Sequence, residues 1–249
     1  MDDYRAPLWL PGGNLQTIWS ALCSRRAFGS PPTYRRERWD SPDGDFIDID
    51  RLAAADPEAP ELVLLHGLES SSTSRYALAF AAVAQARGWH FTVPHFRGCS
   101  GELNRAPRAY HSGDHAEVGW ILARLRARAA GPLFVAGVSL GGNALLRWAE
   151  EAGENAGETV GALAAVSAPI DLLAAGRAID RGFNRLAYAR MFLATMRPKA
   201  LAKWAQYPGL FDRERVRRAT TLAEFDDAFT APLHGFRDVL DYWTRASAK

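Results

Sequence analysis

The chain has 249 residues, and 30 basic side chains nearly balance 28 acidic ones, for a formal net charge of +2. This balance argues against a dedicated nucleic-acid-binding protein, since such proteins carry a marked basic excess. The hydrophobic fraction of 48% is ordinary for a globular protein with a sizeable core. A chain of this length is most simply interpreted as one domain.

The cysteines and the N-terminus bear on the cellular compartment. Cys23 and Cys99 are far apart and have no metal-ligand spacing, so no disulfide framework or zinc site follows. The opening Met1-Asp2-Asp3 is unlike a secretory signal peptide, and no apolar run is long enough to cross a bilayer. We therefore expect a cytoplasmic location, with peripheral membrane contact left open.

The first predicted elements are a short helix and a hairpin. The helix covers Leu15–Cys23, with Asn14 as its N-cap. Thr33–Asp40 and Phe46–Asp50 flank an Asp-Gly turn, a pattern typical of a β-hairpin. The second strand alternates apolar and acidic residues, which predicts one face in water.

The middle of the chain alternates strands with helices. An apolar run typical of a strand buried on both faces lies at Leu62–Leu65. Further strands are predicted at Trp89–Val93, Leu133–Val138 and Thr159–Val166, with helical patterns at 76–86 and 114–129. This order predicts an α/β fold with a mostly parallel sheet and helices on both faces.

After Pro169 the sequence shows only helical patterns and turns. Helices are predicted near 171–181, 183–196, 222–229 and 235–245, and Thr221–Glu224 forms a capping box. We expect a single domain over 1–249, with a sheet core at about 33–168 and a helical cap region at about 170–249.

One pentapeptide stands between a predicted strand and a predicted helix: Gly137-Val138-Ser139-Leu140-Gly141. A serine raised on a sharp strand-to-helix turn needs small neighbours, because a side chain at either glycine would collide with the adjacent backbone. The following helix directs its free N–H groups and positive dipole end toward whatever the serine attacks. The pattern predicts a nucleophile elbow at Ser139.

Taken together, six motifs spread along the chain resemble the α/β-hydrolases, specifically the YheT-like branch. They are Leu10–Thr17, His66–Glu69, Phe96–Glu102, Tyr110–Gly113, Gly137–Asn143 and Ala231–Phe236. The resemblance implies hydrolysis of carboxylic esters by a Ser–Asp–His triad, with no metal and no organic cofactor. It also implies a small-molecule or lipid-like ester as the substrate.

An oxyanion site requires two preplaced backbone donors. In this fold they are the N–H after the nucleophile, here Leu140, and one from the loop after the third strand, here Leu68. His66 is expected to orient that loop, although a role as catalytic base is an alternative.

The sequence leaves two interpretations of the base and the acid that would activate Ser139. His234 is the one histidine after Ser139, and Asp171 follows a strand end. The resemblance instead implies that the Ala231–Phe236 motif belongs to the cap, and that the acid and histidine follow two further strands. No such strands are found before Lys249. Either the fold lacks its last strands and two triad members, or Asp171 and His234 are recruited.

Three functions follow from these motifs. The first is a serine hydrolase of acyl esters, and the second is an acyltransferase that uses the same elbow. The third is a catalytically incomplete α/β-hydrolase scaffold that binds without turnover.

Cys99 is disfavoured as a nucleophile, because it lacks a strand–turn–helix setting. An apolar acyl pocket is expected from the cap side chains Phe183, Tyr188, Met191, Phe192 and Trp204.

Overall fold

A computed structural model describes residues 5–23 and 32–249, and Met1-Asp2-Asp3 lies outside them. The strands are β1 (Arg35–Asp40), β2 (Phe46–Leu52), β3 (Glu61–Leu65), β4 (His90–Pro94), β5 (Leu133–Val138) and β6 (Ala162–Val166). The helices up to β6 are α1 (Gly12–Leu22), α2 (Arg75–Ala86), α3 (His115–Arg128), α4 (Leu140–Ala152) and α5 (Ala156–Thr159). Those after β6 are α6 (Leu172–Ile179), α7 (Gly182–Asn184), α8 (Arg190–Gln206), α9 (Arg213–Arg218), α10 (Leu222–Phe225), α11 (Ala231–Leu233) and α12 (Val239–Arg245), with π-helical turns at Arg185–Ala189 and Asp226–Thr230.

The six strands form one sheet in the order β1-β2-β4-β3-β5-β6. β1 pairs with β2, and β2 with β4, in antiparallel fashion, whereas β3, β4, β5 and β6 are parallel. Side chains from α3 and α4 pack on one face and the alanines of α2 on the other. The predicted α/β fold, with a mostly parallel sheet between helices, is confirmed.

The hairpin differs from its predicted form in one respect. Asp48 and Asp50 of β2 are buried, although the alternating pattern predicted that this face would lie in water. The arginines of the neighbouring strand explain the difference. Arg36 contacts Asp50 at 2.7 Å and Arg38 contacts Asp48 at 2.8 Å. Because each carboxylate accepts charge-assisted hydrogen bonds, it remains ionised out of water.

Helix α1 also starts differently from its prediction. It begins at Gly12, and Pro11 rather than Asn14 is the cap residue, with no side-chain cap bond. The side chain of Asn14 instead accepts a hydrogen bond from the Tyr188 hydroxyl at 3.1 Å. This bond links α1 to the first π-helical turn.

The residues after β6 form a second hydrophobic cluster of helices. Its buried side chains include Leu172, Leu193, Phe225 and Trp243. Helix α8 continues to Gln206 through Pro198, beyond the predicted end at 196. The division into a sheet core at about 33–168 and a cap at about 170–249 stays a prediction.

Strand β6 lies at one edge of the sheet, and all five of its residues are exposed. Within the described ranges no residue after Val166 is in a strand. No helix of the described chain is long and apolar enough to cross a membrane.

A tight contact between α6 and α12 gives a stability prediction. A Cβ at Gly176 would lie 2.4 Å from the Trp243 ring, whereas one at Gly157 would meet nothing within 4 Å. We expect Gly176→Ala to lower the free energy of unfolding by about 1–3 kcal/mol through overpacking. The matched control Gly157→Ala should be neutral or slightly stabilising. Urea unfolding measures both, and equal stabilities would contradict the close contact.

Candidate active site

Ser139 lies between β5 and α4 in a strained backbone conformation, with φ of 53° and ψ of −120°. A non-glycine residue at positive φ is uncommon and is held there by its surroundings. The Ser139 N–H donates to the Val166 carbonyl at 2.9 Å, and its own carbonyl accepts from Gly142 N–H at 2.9 Å. The turn is therefore fixed from both sides.

Two glycines allow the backbone to close around this turn. A Cβ at Gly137 would lie 2.5 Å from the Gly141 carbonyl oxygen, and one at Gly141 would lie 2.4 Å from the Leu65 carbonyl oxygen. Any side chain would push α4 away from β3 and β5. The glycines at these two positions thus have the steric role that the pentapeptide predicted.

The loop after β3 is anchored beside Ser139 by tyrosine hydroxyls. Gly67 N–H donates to the Tyr76 hydroxyl at 2.8 Å, and Glu69 N–H donates to the Tyr110 hydroxyl at 3.0 Å. A Cβ at Gly67 would be 3.3 Å from the Cβ of Ser139, so the loop contacts the serine closely. Glu69 itself has a positive φ of 56°.

The two predicted oxyanion donors line the same cavity as Ser139. Leu68 lies on the loop between the two anchored N–H groups, and Leu140 is the first residue of α4. Among residues 5–23 and 32–249, no acceptor is hydrogen-bonded to the N–H of either residue. Both N–H groups therefore lack an acceptor among the described residues.

His66 is fully buried and bonded on both ring nitrogens. Nδ1 lies 2.8 Å from the Gly67 carbonyl oxygen, and Nε2 accepts from Phe96 N–H at 3.1 Å. These partners require the neutral tautomer with its proton on Nδ1. Burial lowers the pKa of His66 to about 3. This histidine braces the loop, and its acceptor nitrogen faces the backbone rather than Ser139.

His234 and Asp171 do not form a relay to Ser139. The His234 ring packs against His111 at a centroid distance of 4.5 Å, and its buried Nε2 has no hydrogen-bond partner. Asp171 caps α6 through Ala174 N–H at 2.9 Å and pairs with Lys249 at 2.6 Å. In the described part of the chain, no hydrogen bond links either residue to the other or to Ser139.

Glu69 connects the loop to the helices above it. Its Oε1 accepts from the Tyr110 hydroxyl at 2.7 Å, and its Oε2 lies 2.9 Å from Nζ of Lys199 on α8. The Glu69 side chain is 7% exposed and that of Lys199 is 36% exposed. The contact with Lys199 is ionic but poorly aligned, since Glu69 Oε2 is left without a hydrogen bond.

Cys99 is buried in the core beside the same lysine. Its Sγ lies 3.6 Å from Nζ of Lys199, and burial raises the pKa of the thiol to about 11. A protonated thiol is a poor nucleophile. The structure therefore agrees with loop packing as the role of Cys99. No group of three or more His, Cys, Asp or Glu among the described residues could hold a metal ion.

The loop that carries Cys99 is held by a buried charge network. Arg97 contacts Asp45 at 2.7 Å and Glu117 at 2.5 Å, and Asn104 donates to the same Asp45 oxygen at 2.7 Å. Burial, with Asp114 nearby, raises the pKa of Glu117 to about 7. Arg97 therefore braces this loop.

A cavity of about 300 Å³ lies between the Ser139 turn and the helices after β6. Most of its far wall is apolar and comes from Leu172, Ile179, Phe192, Met196, Leu222, Phe225 and Phe229. Of the five cap side chains expected to form an acyl pocket, Phe192 alone is part of the lining. Phe183 and Met191 are exposed instead. The helical pattern in the sequence identifies apolar positions, but it does not tell which face of the helix lines the cavity.

Comparison with known proteins identifies the family. The chain matches no protein-family model. It is 39% identical over 240 residues to the Escherichia coli protein named "Putative esterase YheT", covering 94% of this chain and 69% of that protein. The chain belongs to the YheT-like branch of the α/β-hydrolases. It is an esterase-like member of that superfamily.

The chain is also similar to more distant proteins. A mouse protein named phospholipase ABHD3 is 28% identical over 255 residues, covering 99% of this chain. The chain spans 61% of that protein, which is less than two thirds. Among solved structures, the mouse alpha/beta hydrolase domain-containing protein 10 is 21% identical with a TM-score of 0.47, covering 58% of this chain and 54% of that one.

The buried histidines of this YheT-like chain give a pH prediction. Burial lowers the pKa values of His66, His111 and His234 to about 3, against about 6.5 in an unfolded chain. Between these pH values the unfolded chain binds more protons, so stability falls as the pH falls below about 6.5. Burial raises the pKa of Asp226 to about 6 and that of Glu117 to about 7, and both groups act in the opposite direction.

Each of the three histidines should lower the free energy of unfolding by about 1–2 kcal/mol between pH 7 and pH 5, and the opposing gains from Asp226 and Glu117 should leave a net fall of about 2 kcal/mol. Urea unfolding at the two pH values measures this. NMR of the His66 ring should show no titration above pH 5. A folded-state titration near pH 6.5 would contradict the neutral, doubly bonded ring.

The contact between Glu69 and Lys199 predicts that removing the lysine costs more stability than removing the carboxylate. Lys199→Met leaves a mostly buried carboxylate without its cation, whereas Glu69→Gln leaves a lysine that water can reach. We expect K199M to cost about 1–2 kcal/mol of stability and E69Q less, with the double variant recovering part of the loss. A double-mutant cycle by urea unfolding measures the coupling. Additive effects of the two changes would show that the contact contributes nothing.

Proposed function

We propose that Ser139 is the nucleophile of a serine hydrolase that cleaves carboxylic esters of acyl chains. The observation that carries this proposal is the strained Ser139 backbone beside the unbonded N–H groups of Leu68 and Leu140. In acyl transfer the serine oxygen attacks the ester carbonyl, whose oxygen then carries the negative charge. Two preorganised N–H donors stabilise that charge, and losing one typically costs about 10²–10³ in rate.

The apolar chamber supports an acyl chain as the part of the substrate that is bound. The aromatic side chains of Phe192, Phe225 and Phe229 suit a hydrocarbon chain, and the lining also includes the charged residues Glu69, Arg97, Lys199, Lys203 and Asp226. The relatives named esterase and phospholipase fit such a substrate. A cytoplasmic location stays a prediction.

A base for Ser139 is the missing part of this proposal. His66 is neutral and faces the backbone, and His234 packs on His111. In the ranges that the structure describes, the Ser139 hydroxyl makes no hydrogen bond, and this observation favours a second candidate. That candidate is the catalytically incomplete scaffold, which would bind acyl ligands in the same chamber without turnover.

A fluorophosphonate probe tests the nucleophile, with exogenous imidazole as a substitute base. We expect slow labelling at Ser139, located by mass spectrometry, that accelerates as imidazole is added. Ser139→Ala should abolish labelling, and His234→Asn should leave it unchanged because His234 does not reach the serine.

Each other outcome has a distinct meaning. Folded protein that resists labelling at every imidazole concentration would overturn the nucleophile and leave the binding scaffold. Fast labelling without imidazole that is lost in H234N would restore the recruited-histidine interpretation.

A further inference from the structure

Three large apolar side chains are exposed around the first π-helical turn. Phe183 is 57% exposed, Leu186 71% and Met191 55%. Phe183 and Met191 are eight residues apart, and two helical turns that include one π turn also take about eight residues. The π turn therefore brings Met191 to the side of the helix that carries Phe183. A continuous apolar ridge results, with Leu186 between them.

Helix α1 extends this ridge. Tyr188 of the π turn donates to Asn14 of α1 at 3.1 Å, so the two elements are in contact. The segment at and before α1 exposes Leu8, Trp9, Leu15 and Trp19, and the two tryptophan rings meet edge to face at 4.8 Å. We call Leu8, Trp9, Leu15, Trp19, Phe183, Leu186 and Met191 the cap surface. Soluble monomers seldom expose so many large apolar side chains close together.

Three arginines flank the cap residues of this surface. Arg181, Arg185 and Arg190 flank its three cap residues and are exposed. Within the described ranges neither Arg181 nor Arg190 makes an ion pair. Between Leu172 and Phe211 the sequence has one acidic residue, Asp180, whose oxygens accept the N–H groups at the start of α10. Residues 5–23 contain no acid.

The cap surface also adjoins the cavity that contains Ser139. Met191 is followed by Phe192, and Phe192, Ile179 and Met196 line the cavity that contains Ser139. Met191 on the cap surface and Phe192 in the cavity wall are thus within one turn of the same helix.

We propose that the cap surface docks on an anionic lipid bilayer. Tryptophan, phenylalanine and leucine beside unpaired arginines are the composition of interfacial anchors, where apolar groups enter the headgroup boundary and the cations meet lipid phosphates. The proposal needs no turnover at Ser139, so it is independent of the proposed hydrolysis. A second copy of the chain docked on the same surface would instead place arginines against arginines, which repel each other.

Pelleting with sucrose-loaded vesicles tests the proposal. The full chain should bind vesicles of equimolar phosphatidylcholine and phosphatidylglycerol far better than phosphatidylcholine alone. R181Q/R190Q should weaken binding by about 10–30-fold, because each arginine near the surface contributes about a factor of five. F183S/L186S should weaken it by about tenfold or more. S139A should bind as the wild type does.

Matched controls lie away from the cap surface. R35Q/R87Q removes the same charge from the hairpin and from the end of α2, and V83S removes an exposed apolar side chain from α2. Both should bind as the wild type does. Equal binding by all variants, or no binding of folded wild type, would overturn the proposal. So would sedimentation equilibrium in which F183S/L186S abolishes a dimer while vesicle binding is unchanged.

Discussion

The close approach of α4 to β3 is the constraint on which the site depends. It exists because Gly141 lies against the carbonyl groups of Leu65 and His66, where a Cβ would come within 2.4 and 2.5 Å. This contact places the N-terminus of α4 beside the loop after β3. Ser139 then has no room for a relaxed conformation and is held at positive φ. Backbone packing, rather than any side chain of the site, thus sets the position of the serine.

A second constraint joins the sheet to the helices that cover the cavity. Asn143 of α4 is fully buried and donates to the Ser112 and Ala246 carbonyls, both at 2.8 Å, while its oxygen accepts from Ala248 N–H at 3.1 Å. One amide therefore satisfies three backbone groups from two separate segments. Because an unpaired buried polar group is costly, the C-terminal residues and the Ser112 loop must stay against α4. The chamber wall is fixed to the same helix as the serine.

The sequence predicted what depends on short-range patterns and missed what depends on distant partners. All six strands and the glycine-flanked serine could be found from local residue types, since steric rules act within a few positions. The burial of Asp50 could not, because it depends on Arg36 across the hairpin and on His95 from a later loop. Helix α8 passes the predicted end at 196 and continues through Pro198. Packing against the other helices after β6, rather than the local sequence, decides its length.

In the described part of the chain, no histidine is hydrogen-bonded to Ser139. A histidine in a triad needs a carboxylate to hold its tautomer and to stabilise the positive charge that forms. His111 and His234 have no hydrogen bond to a carboxylate within the described ranges, and burial lowers the pKa values of both to about 3. Nearby Asp114 opposes this effect at His234 but does not overcome it. In the described residues neither ring has the carboxylate partner that a triad histidine needs. His111 lines the cavity, and the His234 ring packs against it at a centroid distance of 4.5 Å.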